Sequence, residues 1–212
     1  MLTVCLESLG LTLCVAGSVL VMAACGMPTW KVSAFIDSNI VVAQTIWDGL
    51  WMTCVVQSTG QMQCKVHDSV LALTRDLQTA RALTVLSAAL GFAALAVTVT
   101  GAQCTTCVAD SAVKRRVVRA GGIVYAASGL FVLVPLCWIA NNIIVDFHDP
   151  HVASSKKREI GAAIYTGWAA AALLLLGGAV LCCSCTRTAA SGKYAPSTET
   201  TCTAECDKKY YV

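Results

Sequence analysis

The chain has 212 residues, of which 57% are hydrophobic and only 13% are charged, and its formal net charge is +3. Together with a mean hydropathy of +0.69, this composition excludes the ordinary soluble globular class. We therefore expect a membrane protein, with neither a nucleic-acid partner nor a cofactor.

Four segments, taken in chain order, lack Asp, Glu, Lys and Arg and are rich in Leu, Val, Ala and Gly. Each is longer than the roughly 20 residues that a helix needs to cross the hydrocarbon core of a bilayer, so the sequence predicts four spans. The segments are Ser8–Trp30, Ala82–Ala109, Ala120–Val145 and Ile160–Thr186, and the spans that we place in them cover about residues 8–28, 82–102, 118–141 and 160–181.

The first span has a second interpretation, as a signal peptide. The segment Ala23–Gly26 has the small residues that a signal peptidase accepts. However, the basic run that normally precedes such an apolar core is missing, because Glu7 is the only charged side chain among the first ten residues. This favours an uncleaved first span.

The loop between the first two spans, about residues 29–81, is predicted to form a small antiparallel sheet. Its β-branched and aromatic runs are separated by turn signals at Asp48-Gly49 and Ser58-Thr59-Gly60. Residues 68–77 are expected to form a short helix, and the rings of Trp30 and Trp51 to lie half-exposed at the bilayer interface. The predicted strand runs are Ile40–Val42, Thr45–Trp47 and Met52–Val56.

Cys54 and Cys64 flank the turn at Gly60 and can close a disulfide. Such a bond persists only in an oxidising compartment, so this loop should lie outside the cell. Of the 13 cysteines, these two alone fall in a predicted extracellular loop, and they pair with none left over.

Four spans then place both termini in the cytoplasm and a second extracellular loop at about residues 142–159. Basic residues agree with this orientation only in part. The cytoplasmic loop carries four of them within residues 114–119, as the positive-inside rule requires, but Lys156–Arg158 lie on the extracellular side.

Five other cysteines lie beside the predicted cytoplasmic ends of spans, where S-acylation of juxtamembrane thiols occurs. For Cys104 and Cys107, two inert thiols are an equally good interpretation. A zinc or redox site is disfavoured, because neither a second ligand pair nor a βαβ pattern accompanies them. The candidate acylation residues are Cys104, Cys107, Cys182, Cys183 and Cys185.

A Trp, then Gly-Leu-Trp, then two Cys and an Arg in the first loop of a four-span protein resemble the signature of the claudin family. The resemblance continues in Gln57–Lys65, Asn142–Ile144 and Gly167–Ala170, and it covers almost everything except the tail. The matching signature residues are Trp30, Gly49, Leu50, Trp51, Cys54, Cys64 and Arg81.

The resemblance implies a left-handed bundle of four transmembrane helices with a five-stranded extracellular antiparallel sheet, the fifth strand coming from the second loop. It implies a claudin domain over residues 1–187 and a disordered cytoplasmic tail over residues 188–212. The implied function is structural and not enzymatic. Claudins polymerise with themselves and with other claudins, within one membrane and across two cells, into tight-junction strands that control paracellular ion permeability.

The resemblance also implies roles for single residues. Lys65 follows the second Cys, at a position that faces the paracellular path in claudins, and a fixed cation there repels Na⁺ and attracts Cl⁻. We therefore expect a cation barrier or an anion-favouring pathway. In claudins the helix edge of the first loop, here Val70, packs against second-loop side chains of a neighbouring subunit, here Phe147 and His148.

Two further partners follow from the resemblance. The C-terminal Tyr211 and Val212, with a free carboxylate, are suited to PDZ domains, so scaffolds of the zonula occludens type are implied partners. Some claudins bind a bacterial enterotoxin through a second-loop Asn-Pro-Leu-Val pattern. Here Asp149–Ala153 departs from that pattern at two positions, so we expect toxin binding to be weakened.

Two other functions are considered beside this one. The first is an auxiliary subunit of an ion channel with the same four-span plan. Such relatives usually carry longer first loops and glycosylation sequons, and this chain has no Asn-x-Ser/Thr. The second is a membrane enzyme, which is disfavoured because the histidines, His67, His148 and His151, all lie in predicted loops and no nucleophile–base motif is present.

Overall fold

The computed structural model describes residues 2–33, 45–57, 60–67, 74–101, 111–152 and 157–191. These residues form four long helices and a five-stranded antiparallel sheet, which confirms the predicted fold class. The helices are α1 (Leu2–Gly26), α2 (Arg75–Gly101), α3 (Ser111–His148) and α4 (Ala162–Ser191), and the strands are β1 (Lys31–Ser33), β2 (Thr45–Asp48), β3 (Met52–Val56), β4 (Met62–Val66) and β5 (Arg158–Ile160).

Several predicted features lie outside the described residues. They are the strand at Ile40–Val42, residues 68–73 of the predicted short helix, and the site residues Val70, Cys104, Cys107, Tyr211 and Val212. Of the remaining residues of that predicted helix, Thr74 is not helical and Arg75–Leu77 lie in the first turn of α2.

All four helices are long and apolar enough to cross a membrane. Each extends beyond its predicted span at one end, and α3 at both ends, because the apolar windows mark only the part of each helix that lies in hydrocarbon. The 38 residues of α3 measure about 57 Å against a hydrocarbon core of about 30 Å. Residues 142–148 of the predicted second loop are thus helical and continue α3, and residues 188–191 of the predicted tail belong to α4.

Small residues let the helices approach closely, as is common in membranes. A Cβ atom added at Gly17 of α1 would lie 2.9 Å from Cγ of Leu174 on α4, and one added at Gly178 of α4 would lie 2.6 Å from the carbonyl oxygen of Gly122 on α3. In both places a larger side chain would push the two helices apart. Glycines of α1, α3 and α4 therefore allow these helices to pack closely against one another.

A polar clamp joins α2 to α3 within the membrane. The Ser87 hydroxyl donates to the Ser128 carbonyl oxygen at 2.8 Å, and the Ser128 hydroxyl donates to the Ser87 carbonyl oxygen at 2.8 Å. Both side chains are buried. Because hydrocarbon offers no alternative partner, this reciprocal pair favours one register between the two helices.

The sheet lies at the extracellular end of the bundle and has the strand order β4-β3-β2-β1-β5. Strands β1 to β4 come from the first loop, and β5 comes from the second, as expected. The β3–β4 hairpin turns through Gly60, whose φ of 79° is in the left-handed region that favours glycine. Pairing of β1 with β5 therefore joins the two extracellular loops into one sheet.

Candidate assembly and permeability site on the extracellular sheet

The predicted disulfide between Cys54 and Cys64 is present. The two residues are direct partners across β3 and β4, and Cys54 is fully buried. Strand β4 lies at the edge of the sheet and is exposed along its whole length. The bond therefore fastens an otherwise weakly covered edge strand to the rest of the sheet.

Trp30 anchors the sheet to the end of α1. Its ring is fully buried and its Nε1 donates to the Ala24 carbonyl oxygen at 2.8 Å. The expectation that this ring is half-exposed at the bilayer interface is wrong, because the end of α1 and the sheet enclose it and supply a partner for its N–H. Trp51, in contrast, is 39% exposed.

The Gly49-Leu50-Trp51 turn packs on the segment that follows α1. A Cβ atom at Gly49 would clash with Cα of Pro28, a backbone atom that cannot move aside. Leu50 is fully buried in the hydrophobic core. Gly49 is therefore required by close backbone approach, and the turn that it permits places Leu50 under the sheet and Trp51 at its margin.

Arg81 connects this turn to α2. Its Nε donates to the Leu50 carbonyl oxygen, and its guanidinium carbon lies 4.9 Å from the centroid of the Trp51 ring. Only 7% of Arg81 is exposed. A carbonyl dipole and an aromatic face thus stabilise a buried cation at the boundary between bundle and sheet.

One face of the sheet carries a row of charged and polar residues. Directly opposed residues in neighbouring strands point to the same face, and the register places Lys65 of β4 opposite Thr53 of β3, Thr53 opposite Asp48 of β2, and Asp48 opposite Lys31 of β1. We call these four residues, in the order Lys65, Thr53, Asp48 and Lys31, the cross-strand row.

Asp48, the acidic residue of the cross-strand row, already has two partners. Asp48 Oδ2 lies 3.2 Å from Arg158 Nε of β5, and Asp48 Oδ1 accepts a hydrogen bond of 3.1 Å from the Thr53 hydroxyl. Among the described residues, this face of the sheet therefore carries three cations, Lys31, Lys65 and Arg158, and one acid, for a net charge of +2.

Sequence reasoning missed the roles of Asp48 and Arg158. Asp48 was interpreted only as part of a turn, and Arg158 only as a basic residue on the wrong side for the positive-inside rule. Their 3.2 Å ion pair links β2 to β5 across β1. A sequence signal could have come only from correct strand register, because 110 positions separate the two residues.

The second loop forms a contact surface at the end of α3. The Lys157 ammonium donates to the Phe147 carbonyl oxygen at 2.7 Å and lies 5.5 Å from the centroid of its ring, while the rings of Phe147 and His148 meet edge to face at 5.7 Å. Beside them is an open cavity of about 270 Å³, lined by Ile143, Ile144, Phe147, His148, Arg158, Glu159, Ile160 and Tyr165.

At the cytoplasmic side, Cys182 Sγ lies 3.8 Å from the Arg119 carbonyl oxygen, and Cys183 is exposed. Cys185 lies in α4, but its side chain is not among those described. Within the described ranges, no three His, Cys, Asp or Glu side chains lie close enough together to hold a metal ion.

Four spanning helices beneath a disulfide-closed extracellular sheet define a polytopic membrane protein built for contact outside the cell. Residues 4–181 match the PMP-22/EMP/MP20/Claudin family. The chain is 55% identical over 213 residues to Claudin-5 of Mus musculus and of Homo sapiens, covering 98% of each. It is 57% identical over 165 residues to Claudin-9 of Homo sapiens, covering 78% of this chain and 76% of that one.

Claudin-4 of Homo sapiens is 52% identical over 180 residues, covering 85% of this chain and 86% of that one. The chain therefore belongs to the claudin family. As a claudin it is a structural protein of the tight junction in the plasma membrane, where it interacts with claudins and acts on paracellular permeability. It is not an enzyme, and the similarity favours this function over an auxiliary channel subunit.

Proposed function

We propose that this claudin polymerises within one membrane and across two cells into a barrier that restricts cations and favours anions. Lys65 is the residue that sets the charge preference. The observation that carries the proposal is the cross-strand row, in which Lys65 is exposed on an edge strand while the acid of the row is paired with Arg158.

Distance keeps the Lys65 charge from being cancelled. Lys65 and Asp48 are two strands apart, which corresponds to roughly 10 Å at a strand spacing of about 4.8 Å. Screening in physiological salt acts over about 8 Å, so the Asp48 carboxylate contributes little potential at Lys65. A permeating ion near β4 therefore meets a positive charge.

Assembly within one membrane is proposed to use the cavity beside Phe147. Its volume of about 270 Å³ is ample for one aliphatic side chain, and Ile143, Ile160 and Phe147 provide apolar walls. The Lys157 ammonium donates to the Phe147 carbonyl oxygen and lies 5.5 Å from the centroid of its ring, which fixes Phe147 in place. The occupant that we propose for this cavity is Val70 of a neighbouring subunit.

At the cytoplasmic end of the chain, we propose that PDZ scaffolds bind Tyr211 and Val212.

The charge preference is tested by the NaCl dilution potential across a leaky epithelial monolayer that expresses the chain. The wild type should lower Na⁺ relative to Cl⁻ permeability, and Lys65→Asp should reverse the change. Lys65→Arg is the matched control, since it keeps the cation and should behave as the wild type. Equal potentials for Lys65→Asp and the wild type, with strands visible by freeze-fracture electron microscopy, would exclude a role for Lys65.

Assembly and scaffold binding need separate measurements. Val70→Glu should reduce strand formation in cells that lack tight junctions, and Val70→Leu should preserve it. Strands of normal length and continuity in Val70→Glu cells would disprove the proposed contact.

Deletion of Val212 should abolish recruitment of a PDZ scaffold while leaving strand formation intact.

A further inference from the structure

A groove separates the outer halves of α2 and α3. Its volume is about 270 Å³, and its walls include Leu83 on α2 and Val134, Pro135 and Trp138 on α3. Val134 is 54% exposed and Trp138 is 60% exposed. Because exposed side chains within a spanning bundle face lipid, the groove opens to the surrounding membrane and not to the bundle core.

The lining residues change from charged to apolar with depth. Arg75 is the first residue of α2, and Leu83 lies eight positions further on, about 12 Å along the helix axis. The uncharged window of α2 begins at residue 82, so Leu83 and Pro135 lie at hydrocarbon depth. Arg75 and Asp76 lie about 9–10 Å further out than residue 82 along the helix axis, at the outer margin of the headgroup layer, which is about 5–7 Å thick on each side of the bilayer.

Two opposite charges stand side by side at the mouth of this groove. Arg75 is exposed, and among the described residues it forms no ion pair. Asp76 is half-buried, and its Oδ2 accepts a hydrogen bond of 3.0 Å from Asn142 Nδ2 of α3. The carboxylate is therefore held in place by both helices, and Arg75 and Asp76 are the charged groups among the residues that line the groove.

We propose that the groove is a binding site for one zwitterionic phospholipid of the outer leaflet. The lipid phosphate lies against the Arg75 guanidinium, and the headgroup ammonium lies near the Asp76 carboxylate. One acyl chain lies along Leu83, Val134 and Pro135. Trp138 forms the side wall at the depth where indole rings favour the membrane interface.

Charge complementarity selects this ligand over other occupants. A zwitterionic headgroup presents one negative and one positive group, so that Arg75 and Asp76, which stand side by side, can each oppose a group of the opposite sign. An anionic headgroup without an ammonium leaves Asp76 opposed by a like charge. A sterol has a single uncharged hydroxyl, which can reach only one of the two side chains and opposes neither charge. A second copy of the chain is the remaining competitor.

The test uses the full chain purified in detergent and titrated with phosphatidylcholine or with phosphatidylglycerol of the same acyl chains. Bound lipid is counted by native mass spectrometry. The wild type should bind one phosphatidylcholine most tightly and prefer it to phosphatidylglycerol. Arg75→Gln should weaken this first binding step about tenfold, the loss expected for one charge-assisted hydrogen bond. The matched control is Arg116→Gln, at an exposed position at the cytoplasmic end of α3, which should bind as the wild type.

A second measurement locates the lipid without any variant. Phosphatidylcholine with a photoreactive acyl chain should label peptides that contain Leu83 and Pro135. Labelling elsewhere, or equal affinity of Arg75→Gln and Arg116→Gln, would overturn the proposal. Equally tight binding of phosphatidylglycerol and phosphatidylcholine would also overturn it. A sterol that displaces the probe more strongly than unlabelled phosphatidylcholine would show that the groove binds sterol, and cross-linking of these peptides to a second chain would show that it binds another copy of the protein.

Discussion

The guanidinium carbon of Arg81 lies 4.9 Å from the centroid of the Trp51 ring. This contact, together with the hydrogen bond from Arg81 to the Leu50 carbonyl oxygen, connects α2 to the turn that leads into β3. Together with Trp30 and Gly49, these residues form one joint between the bundle and the sheet.

Arg81→Lys should weaken this joint although it keeps the charge. A lysine ammonium cannot both stack on the Trp51 ring and direct a planar N–H to the Leu50 carbonyl. We expect a loss of about 2–3 kcal/mol in the free energy of unfolding. Thermal unfolding of the purified protein in detergent measures it, with Arg116→Lys at an exposed position as the control. Equal transition temperatures for the two variants would contradict the prediction.

Gly49→Ala should destabilise the protein, because the new Cβ atom meets the backbone of Pro28 and the turn must shift. The expected loss is about 2 kcal/mol or more. Gly26 provides a matched control, since a Cβ atom there meets nothing within 4 Å. Gly26→Ala should stay within about 0.5 kcal/mol of the wild type. Denaturant titration of the two variants compares them, and similar losses would show that the clash at residue 49 is easily relieved.

The serine clamp predicts energetic coupling between α2 and α3. Ser87→Ala and Ser128→Ala each remove one donor, and the double variant should lose less than the sum of the single losses. The coupling energy should be about 1 kcal/mol. A double-mutant cycle measured by unfolding in detergent tests this. Thr79→Ala is the control, because the Thr79 hydroxyl donates to the Arg75 carbonyl oxygen on its own helix and Thr79 lies about 12 Å from Ser87 along α2. Its loss should simply add to that of Ser87→Ala.

Loss of the disulfide should loosen the edge strand β4. The bond closes a loop between residues that are 10 apart in sequence, and cross-linking a loop of this size contributes about 3 kcal/mol in the chain-entropy account. A reductant should therefore lower the unfolding temperature of the wild type. The Cys54→Ser/Cys64→Ser variant should start at the lower temperature and not respond to reductant. A response of that variant would assign the effect to other cysteines.

The two lysines of the cross-strand row should differ in their effect on ion preference. Lys31 is directly opposite Asp48, where side chains lie about 4.5–5.5 Å apart at Cβ, so its charge is partly offset. Lys65 is separated from Asp48 by β3. Lys65→Gln should therefore lower the Cl⁻ preference in dilution-potential measurements more than Lys31→Gln. The reverse order would place the ion path nearer to β1 than to β4.

Some features were readable from the sequence because their causes are local. The four spans follow from uncharged windows, and strands β2 and β3 follow from β-branched and aromatic runs between turn residues. The extent of α3 to His148 was not readable, because Asn142 and Asp146 look like loop residues although a helix that leaves the membrane tolerates polar side chains. The expectation that Trp30 is half-exposed was wrong for a related reason. The sheet packs on the end of α1, and this packing brings the Trp30 N–H to the Ala24 carbonyl oxygen.

By itself, the sequence determined the class of protein, the number of spans, the disulfide and the claudin signature, because composition and spacing record these directly. Only the tertiary structure decided which charges act together. Strand register places Lys65, Asp48 and Lys31 in one row, although up to 34 positions separate them, and pairing with β5 brings Arg158 to Asp48. Helix packing likewise places Arg75 and Asp76 above an apolar groove. These are contacts between distant segments, and a local pattern carries no information about them.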